Sequence, residues 1–182
     1  MIITLIGMPG CGKSCMGRSL ASKLKMKLID SDRLIERIHG KKLQELINEF
    51  GVDGFSKIEE EALLSIEDDN IILSTGGSAV YYDDAMQHLK SKGKVIYLYC
   101  SLDTITKRIG DFSNRGVVLR EGQTLEDLYN ERTLLYRKYA DITIFCDGNA
   151  FPQYQSDALR AASRLLNNPR KKSNSHNRVN KS

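Results

Sequence analysis

Four residues in "GMPGCGKS" (7–14) have the types and spacing to hold a phosphate chain. Gly7, Gly12, Lys13 and Ser14 fit G-x-x-x-x-G-K-[ST]. Glycines let backbone N–H groups wrap a polyphosphate without steric cost, and a helix starting near Lys13 aims its positive end at the bound charge. Lys13 can reach the β- and γ-phosphates, and the Ser14 hydroxyl can ligate Mg²⁺. Gly10, Cys11, Gly12, Lys13, Ser14 and Cys15 are therefore the expected core of an ATP site. Further along, "LIDSD" (28–32) ends in Asp30 and Asp32. On a strand, residues two apart share a side, so both carboxylates are expected beside Lys13 and Ser14. One can hold the water shell of Mg²⁺ and the other can take or orient a hydroxyl proton. Aspartates also serve as turn and cap residues at such places, which is the plainer reading of the pair.

The elements needed to position these groups are legible as alternation. Apolar runs at 2–7, 26–32, 70–77, 94–100 and 142–146 read as strands. Between them lie helical patterns at 13–25, 33–38, 42–50, 54–66, 83–92, 101–110 and 124–140, and a last one follows at 156–166. Ser101 and Thr124 stand where N-caps are expected. Strands separated by helices imply an α/β fold, a parallel sheet covered on both faces. Such sheets bind ligands beyond the carboxyl ends of their strands, which is where Gly7–Ser14, Asp30, Asp32 and Gly76–Ser78 fall.

Composition narrows the class. In 182 residues, 41% are hydrophobic and 27% charged, which suits one soluble domain. No apolar run approaches the ~20 residues of a membrane helix. The opening "MIITLIGMPG" lacks a basic region and a cleavage pattern, so a cytoplasmic protein is expected. The net charge of +4 is concentrated in the tail "RKKSNSHNRVNKS" (170–182), which has five basic residues, no acid and no periodicity. It reads as a disordered, solvated terminus rather than a nucleic-acid arm. The four cysteines form no CxxC pair. Cys11, in the glycine turn, is expected to have a lowered thiol pKa from the helix N-terminus behind it. A guanine-specific N-K-x-D motif is absent, which argues against a GTPase and leaves a small kinase with a low-molecular-weight acceptor.

Taken in order, the phosphate loop, the D-x-D at 30–32, "GFSKIEE" (54–60), "STGGSAV" (74–80), "SNRGVV" (113–118) and "NERTLLYRKYAD" (130–141) resemble the shikimate kinase family. The resemblance covers roughly residues 1–166. It implies a P-loop kinase fold over residues 1–169: a five-stranded parallel sheet with helices on both faces, an acceptor-binding helical region at about 33–62 and a mobile lid at about 109–122. It also implies transfer of the γ-phosphate of ATP to the 3-hydroxyl of shikimate with Mg²⁺. No extra apolar stripe asks for a partner, so a monomer is expected. Asp32 takes the role of base or orienter, Asp30 and Ser14 serve the metal, and Lys13 and Arg115 act on the phosphates, Arg115 from the lid. Arg108 stacks on adenine with Pro152 opposite. Gly76, Gly77 and Ser78 face the acceptor, and Arg132 grips its carboxylate. Two positions depart from the family pattern: Ser56 stands where an arginine helps bind that carboxylate, and Ser78 replaces a third glycine. Lys57 is the side chain that could substitute for the arginine, by bending back its stem. Glu59 matches the family's acidic residue and has a changed partner. The departures keep two alternatives open: another small polyol or hydroxy acid as acceptor, or a non-catalytic nucleotide-binding regulator.

Overall fold

The computed structural model describes residues 1–109, 120, 122–148 and 151–167. Its strands are β1 (Ile2–Ile6), β2 (Lys27–Asp30), β3 (Ile71–Ser74), β4 (Gly93–Tyr99) and β5 (Ile142–Phe145). All pairings are parallel, in the order β2-β3-β1-β4-β5. The order follows from composition. β1 is IITLI with every residue buried, as a strand covered on both faces requires. The edge strands β2 and β5 are the ones with exposed residues.

The helices are α1 (Lys13–Leu24), α2 (Ser31–His39), α3 (Leu43–Leu64), α4 (Asp83–Lys92), α5 (Leu102–Ile109), α6 (Leu125–Tyr139) and α7 (Phe151–Asn167), with a 3₁₀ turn at Ala79–Tyr81. α1 and α7 pack on one face of the sheet, and α3, α4 and α6 lie on the other. The connection out of β1 runs toward β2, and the one out of β3 runs back toward β4. The loops after β1 and β3 therefore border a crevice where chain direction across the sheet reverses.

A second small core, Ile35, Leu46, Phe55 and Ala62, holds α2 against α3. It shapes the segment expected to bind the acceptor. α3 bends at Gly51, whose φ of 69° and ψ of 179° break the helix into the two pieces that the pattern at 42–50 and 54–66 suggests.

Several boundaries moved. β2 ends at Asp30, and Asp32 lies in the first turn of α2. The two aspartates thus do not share a strand face; the chain turns between them. α7 begins at Phe151, five residues before the periodic pattern, so Pro152 sits in its first turn, where a proline costs nothing. Ser101 caps α5 through the Thr104 amide at 3.3 Å, and Thr124 and Asp127 form a capping box on α6. Arg115, nearly all of the expected lid and the basic tail lie outside the described residues.

At the foot of the central pairing, a Cβ on Gly93 would stand 1.8 Å from the Ile2 carbonyl oxygen. Any side chain there must push β1 and β4 apart. Gly93→Ala should therefore lower the thermal midpoint by roughly 2–12 °C, from about 1–3 kcal/mol of overpacking. Scanning calorimetry checks this, and an unchanged midpoint would contradict the close approach.

Candidate active site

The phosphate loop spans Gly7 to Gly12, between β1 and α1. Gly12 caps α1 with φ at 100°, a left-handed conformation that a side chain rarely adopts. Neither a capping side chain nor an acidic first-turn residue occupies the start of α1, so its orphan amides and positive end face the loop. Lys13 is buried, and its Nζ donates to the carbonyl oxygens of Gly7 at 2.8 Å and Met8 at 3.0 Å. Cys11 is fully buried, and burial pushes its thiol pKa up against the pull of Lys13. The expected lowering is thus overturned: the sulfur is in the core, and desolvation outweighs the helix terminus and the lysine.

Around the loop lies a cleft of about 870 Å³. On one side of it, Ser14 Oγ donates to Asp30 Oδ2 at 3.1 Å, while Asp30 Oδ1 accepts from the Arg33 amide at 3.4 Å and caps α2. Asp32 reaches the same cleft from two residues further on. Its Oδ1 accepts from Ser31 Oγ at 3.4 Å, and Ser31 Oγ in turn accepts from the Gly76 amide at 2.9 Å. That chain ties the start of α2 to the loop after β3.

The opposite wall is built from α3, the loop after β3 and α6. Glu59 is buried and accepts from Ser78 Oγ at 2.7–2.8 Å and from the Tyr82 hydroxyl at 2.7 Å. Arg132 is buried too, its guanidinium over the Tyr81 ring at 5.3 Å and its Nε donating to the Tyr81 hydroxyl at 3.4 Å. Gly77 leaves room for that guanidinium, since a Cβ there would lie 3.0 Å from its NH1. The Tyr136 hydroxyl fixes the Gly77 carbonyl at 2.7 Å.

Of the residues proposed from sequence, Gly10, Lys13, Ser14, Asp30, Asp32, Gly76, Gly77, Ser78 and Arg132 line this one cleft. Others do not. Lys57 is exposed on α3 and is not among the residues that line the cleft. The helix turns about 100° per residue, which takes position 57 away from a face set by Phe55 and Glu59. Cys11 turns inward and Cys15 outward, so neither side chain lines the cleft. Arg108 also stands outside its lining; its NH1 donates to Cys100 Sγ at 3.4 Å, and Pro152 is exposed. Sequence reasoning missed Tyr81 and Tyr82 as wall residues. Their one sequence signal is a position directly after the glycine turn at 76–78.

Burial, and then the neighbouring Asp30, raise the pKa of Asp32 above the usual 3.8. Burial likewise raises Glu59, with Asp32 adding to it, against the hydrogen bonds of Tyr82 and Ser78. The folded state thus holds the Asp32 proton to a higher pH than the unfolded chain does, and stability falls as pH rises through that interval. Asp32→Asn removes this contribution. Relative to wild type, the variant should gain stability as pH rises from 3.8 through the raised Asp32 value and keep the gain above it. Thermal midpoints across the acidic and neutral range test this, and parallel curves for the two proteins would refute it.

The comparisons with known proteins converge. A shikimate kinase family model matches residues 9–161. The shikimate kinase of Francisella tularensis subsp. novicida is 37% identical over 150 residues, covering 80% of this chain and 85% of that one. The shikimate kinase from Acinetobacter baumannii, solved in complex with shikimate, superposes with a TM-score of 0.80 at 32% identity, covering 93% of this chain and 95% of that one. The enzyme from Bacteroides thetaiotaomicron superposes at 0.75 with 27% identity, over 92% and 98% of the two chains. The sheet order, the loop on Lys13 and the matched span agree, and the chain belongs to the shikimate kinase family.

Proposed function

We propose that this chain transfers the γ-phosphate of ATP to the 3-hydroxyl of shikimate, giving shikimate 3-phosphate and ADP. The observation that carries the reading is one cleft lined by a polyphosphate loop, the half-buried carboxylate of Asp32 and the buried guanidinium of Arg132. The acceptor oxygen forms a bond to the γ-phosphorus as the bridge to the β-phosphate breaks, and ADP leaves. Asp32 orients the attacking hydroxyl and receives its proton. Lys13 exchanges the Gly7 and Met8 carbonyls for phosphate oxygens and follows the charge that develops on them. Arg115 lies in the segment assigned to closure over the phosphates, and Arg108 and Pro152 are assigned to the adenine.

Two buried cations line the cleft. Lys13 belongs to the phosphates, which leaves Arg132 to take the acceptor carboxylate through its planar fork. The hard oxygens of Ser14 and Asp30, already 3.1 Å apart, fit Mg²⁺, which completes its shell from phosphates and water. When bound, the ion neutralises phosphate charge. No helix of the described residues is long and apolar enough to cross a membrane. The described walls of the cleft come from one chain, which fits a monomer, and the family to which the chain belongs supports a cytoplasmic enzyme.

The direct test is turnover of ATP and Mg²⁺ with a panel of acceptors: shikimate, its analogue without the carboxylate, and neutral polyols. Shikimate is expected to have the highest kcat/KM, and a better substrate elsewhere in the panel would defeat the reading. Arg132→Ala should raise the shikimate KM by roughly 10- to 150-fold, the equivalent of about 1.5–3 kcal/mol for a charge-assisted hydrogen bond, and should spare the acceptor lacking a carboxylate. Asp30→Asn should lose turnover at low Mg²⁺ and recover part of it as the metal is raised, whereas Asp32→Asn should not respond. Rescue of Asp32→Asn by metal would reverse the two roles.

A further inference from the structure

Glu59 is a buried carboxylate in the wall of the acceptor cleft, yet among the described residues no ion pair includes it. The side chains that meet it are hydroxyls. Ser78 Oγ lies 2.8 Å from Oε1 and 2.7 Å from Oε2, and the Tyr82 hydroxyl lies 2.7 Å from Oε2. Ser56, where the family pattern has an arginine, stands beside the Tyr82 hydroxyl on the same cleft wall. The tyrosine oxygen therefore sits in the space between positions 56 and 59 that a longer, charged side chain would enter. Of the two departures from the family pattern, Ser78 bonds this carboxylate directly and Ser56 stands beside the tyrosine that also bonds it.

The carboxylate is also aimed. Glu59 Oε1 and Asp32 Oδ1 flank a single point in the cleft, 2.9 and 3.2 Å from where a Cβ on Gly76 would stand. The atom that points at the acceptor side of Asp32 is thus the one that Ser78 holds. A carboxylate left in such a place without donors would take up a proton or turn away, because burial penalises its charged form. Two neutral donors reduce that penalty, and the nearby Arg132 charge adds to them against the repulsion of Asp32.

We propose that Ser78 and Tyr82 are specificity-determining positioning residues, whose hydroxyls fix Glu59 against the acceptor site in place of a cation at position 56. The inference rests on the shikimate reading for its substrate but not for its geometry. It leaves Arg132 as the guanidinium that meets the acceptor carboxylate, and it makes Ser56, Ser78 and Tyr82 one coupled unit. An arginine at 56 helps only when the two hydroxyls are gone, since they hold the same oxygens.

The test is a coupling experiment. Tyr82→Phe and Ser78→Gly should each raise the shikimate KM about 3- to 10-fold, with the KM for ATP within about twofold of wild type. Ser56→Arg should change the shikimate KM less than about twofold in the wild-type background. In the Ser78→Gly/Tyr82→Phe background it should restore most of the loss, and the rescue should vanish when Glu59→Gln is added. Equal effects of Ser56→Arg in both backgrounds would overturn the proposal. A second readout does not depend on the acceptor. ¹³C NMR titration of the Glu59 carboxyl should show its pKa moving up in Tyr82→Phe and further in the double variant, because donors to the charged form are lost. An unmoved titration would overturn the proposal even if shikimate were turned over. Absence of shikimate turnover in wild type, with the titration moving as stated, would defeat the substrate reading alone.

Discussion

The ammonium of Lys13 lies 2.8 Å from the Gly7 carbonyl oxygen and 3.0 Å from that of Met8, and the rest of the structure is arranged around that contact. A buried cation needs partners, and here the loop that it serves supplies them. For those carbonyls to converge, Gly7 and Gly12 must take left-handed conformations, and β1 must deliver the loop from the middle of the sheet. Cys11 fills the core beneath the loop, where a larger or charged side chain has no room: its sulfur already lies 2.8 Å from where a Cβ on Gly7 would be. The loop is thus preorganised for phosphate before any phosphate arrives.

The opposing requirement is negative charge. A hydroxyl acceptor needs a carboxylate near the γ-phosphate, and carboxylates repel both phosphate and one another. The structure separates three of them by what they touch. Asp30 keeps to Ser14 and the cap of α2. Asp32, two residues on in the first turn of α2, has its pKa raised by burial and by Asp30. Glu59 is held apart on α3 by hydroxyls. Carboxylates held by different partners can be set to different tasks in one cleft.

The acceptor wall shows how a departure from a family pattern can be absorbed. Ser56 and Ser78 lie 22 positions apart and read in sequence as two separate losses. In the folded protein they belong to one cluster with Tyr82 and Glu59. A hydrogen bond from a neutral hydroxyl satisfies a buried carboxylate oxygen with no net change in the charge of the cleft.

Much of the fold was legible because its signals are local. The apolar run IITLI, the glycine spacing and the lysine after Gly12 place a central strand, a loop and a helix start within fourteen residues. The alternation of strand and helix then leaves a parallel sheet as the consistent architecture. What sequence could not decide is where side chains separated along the chain come together. Asp30 and Asp32 looked like strand neighbours on one face, but β2 stops at Asp30, whose side chain caps the helix that carries Asp32. Lys57 looked able to replace an arginine, but the helix phase fixed by Phe55 and Glu59 turns it to solvent. Cys11 looked activated, but packing buries it. The bonds that shape the site join Gly76 to Ser31, Ser78 to Glu59 and Tyr136 to Gly77, across 45, 19 and 59 positions. Spacing along a chain sets which residues share an element; only the packing of elements against one another sets which of them share a cleft.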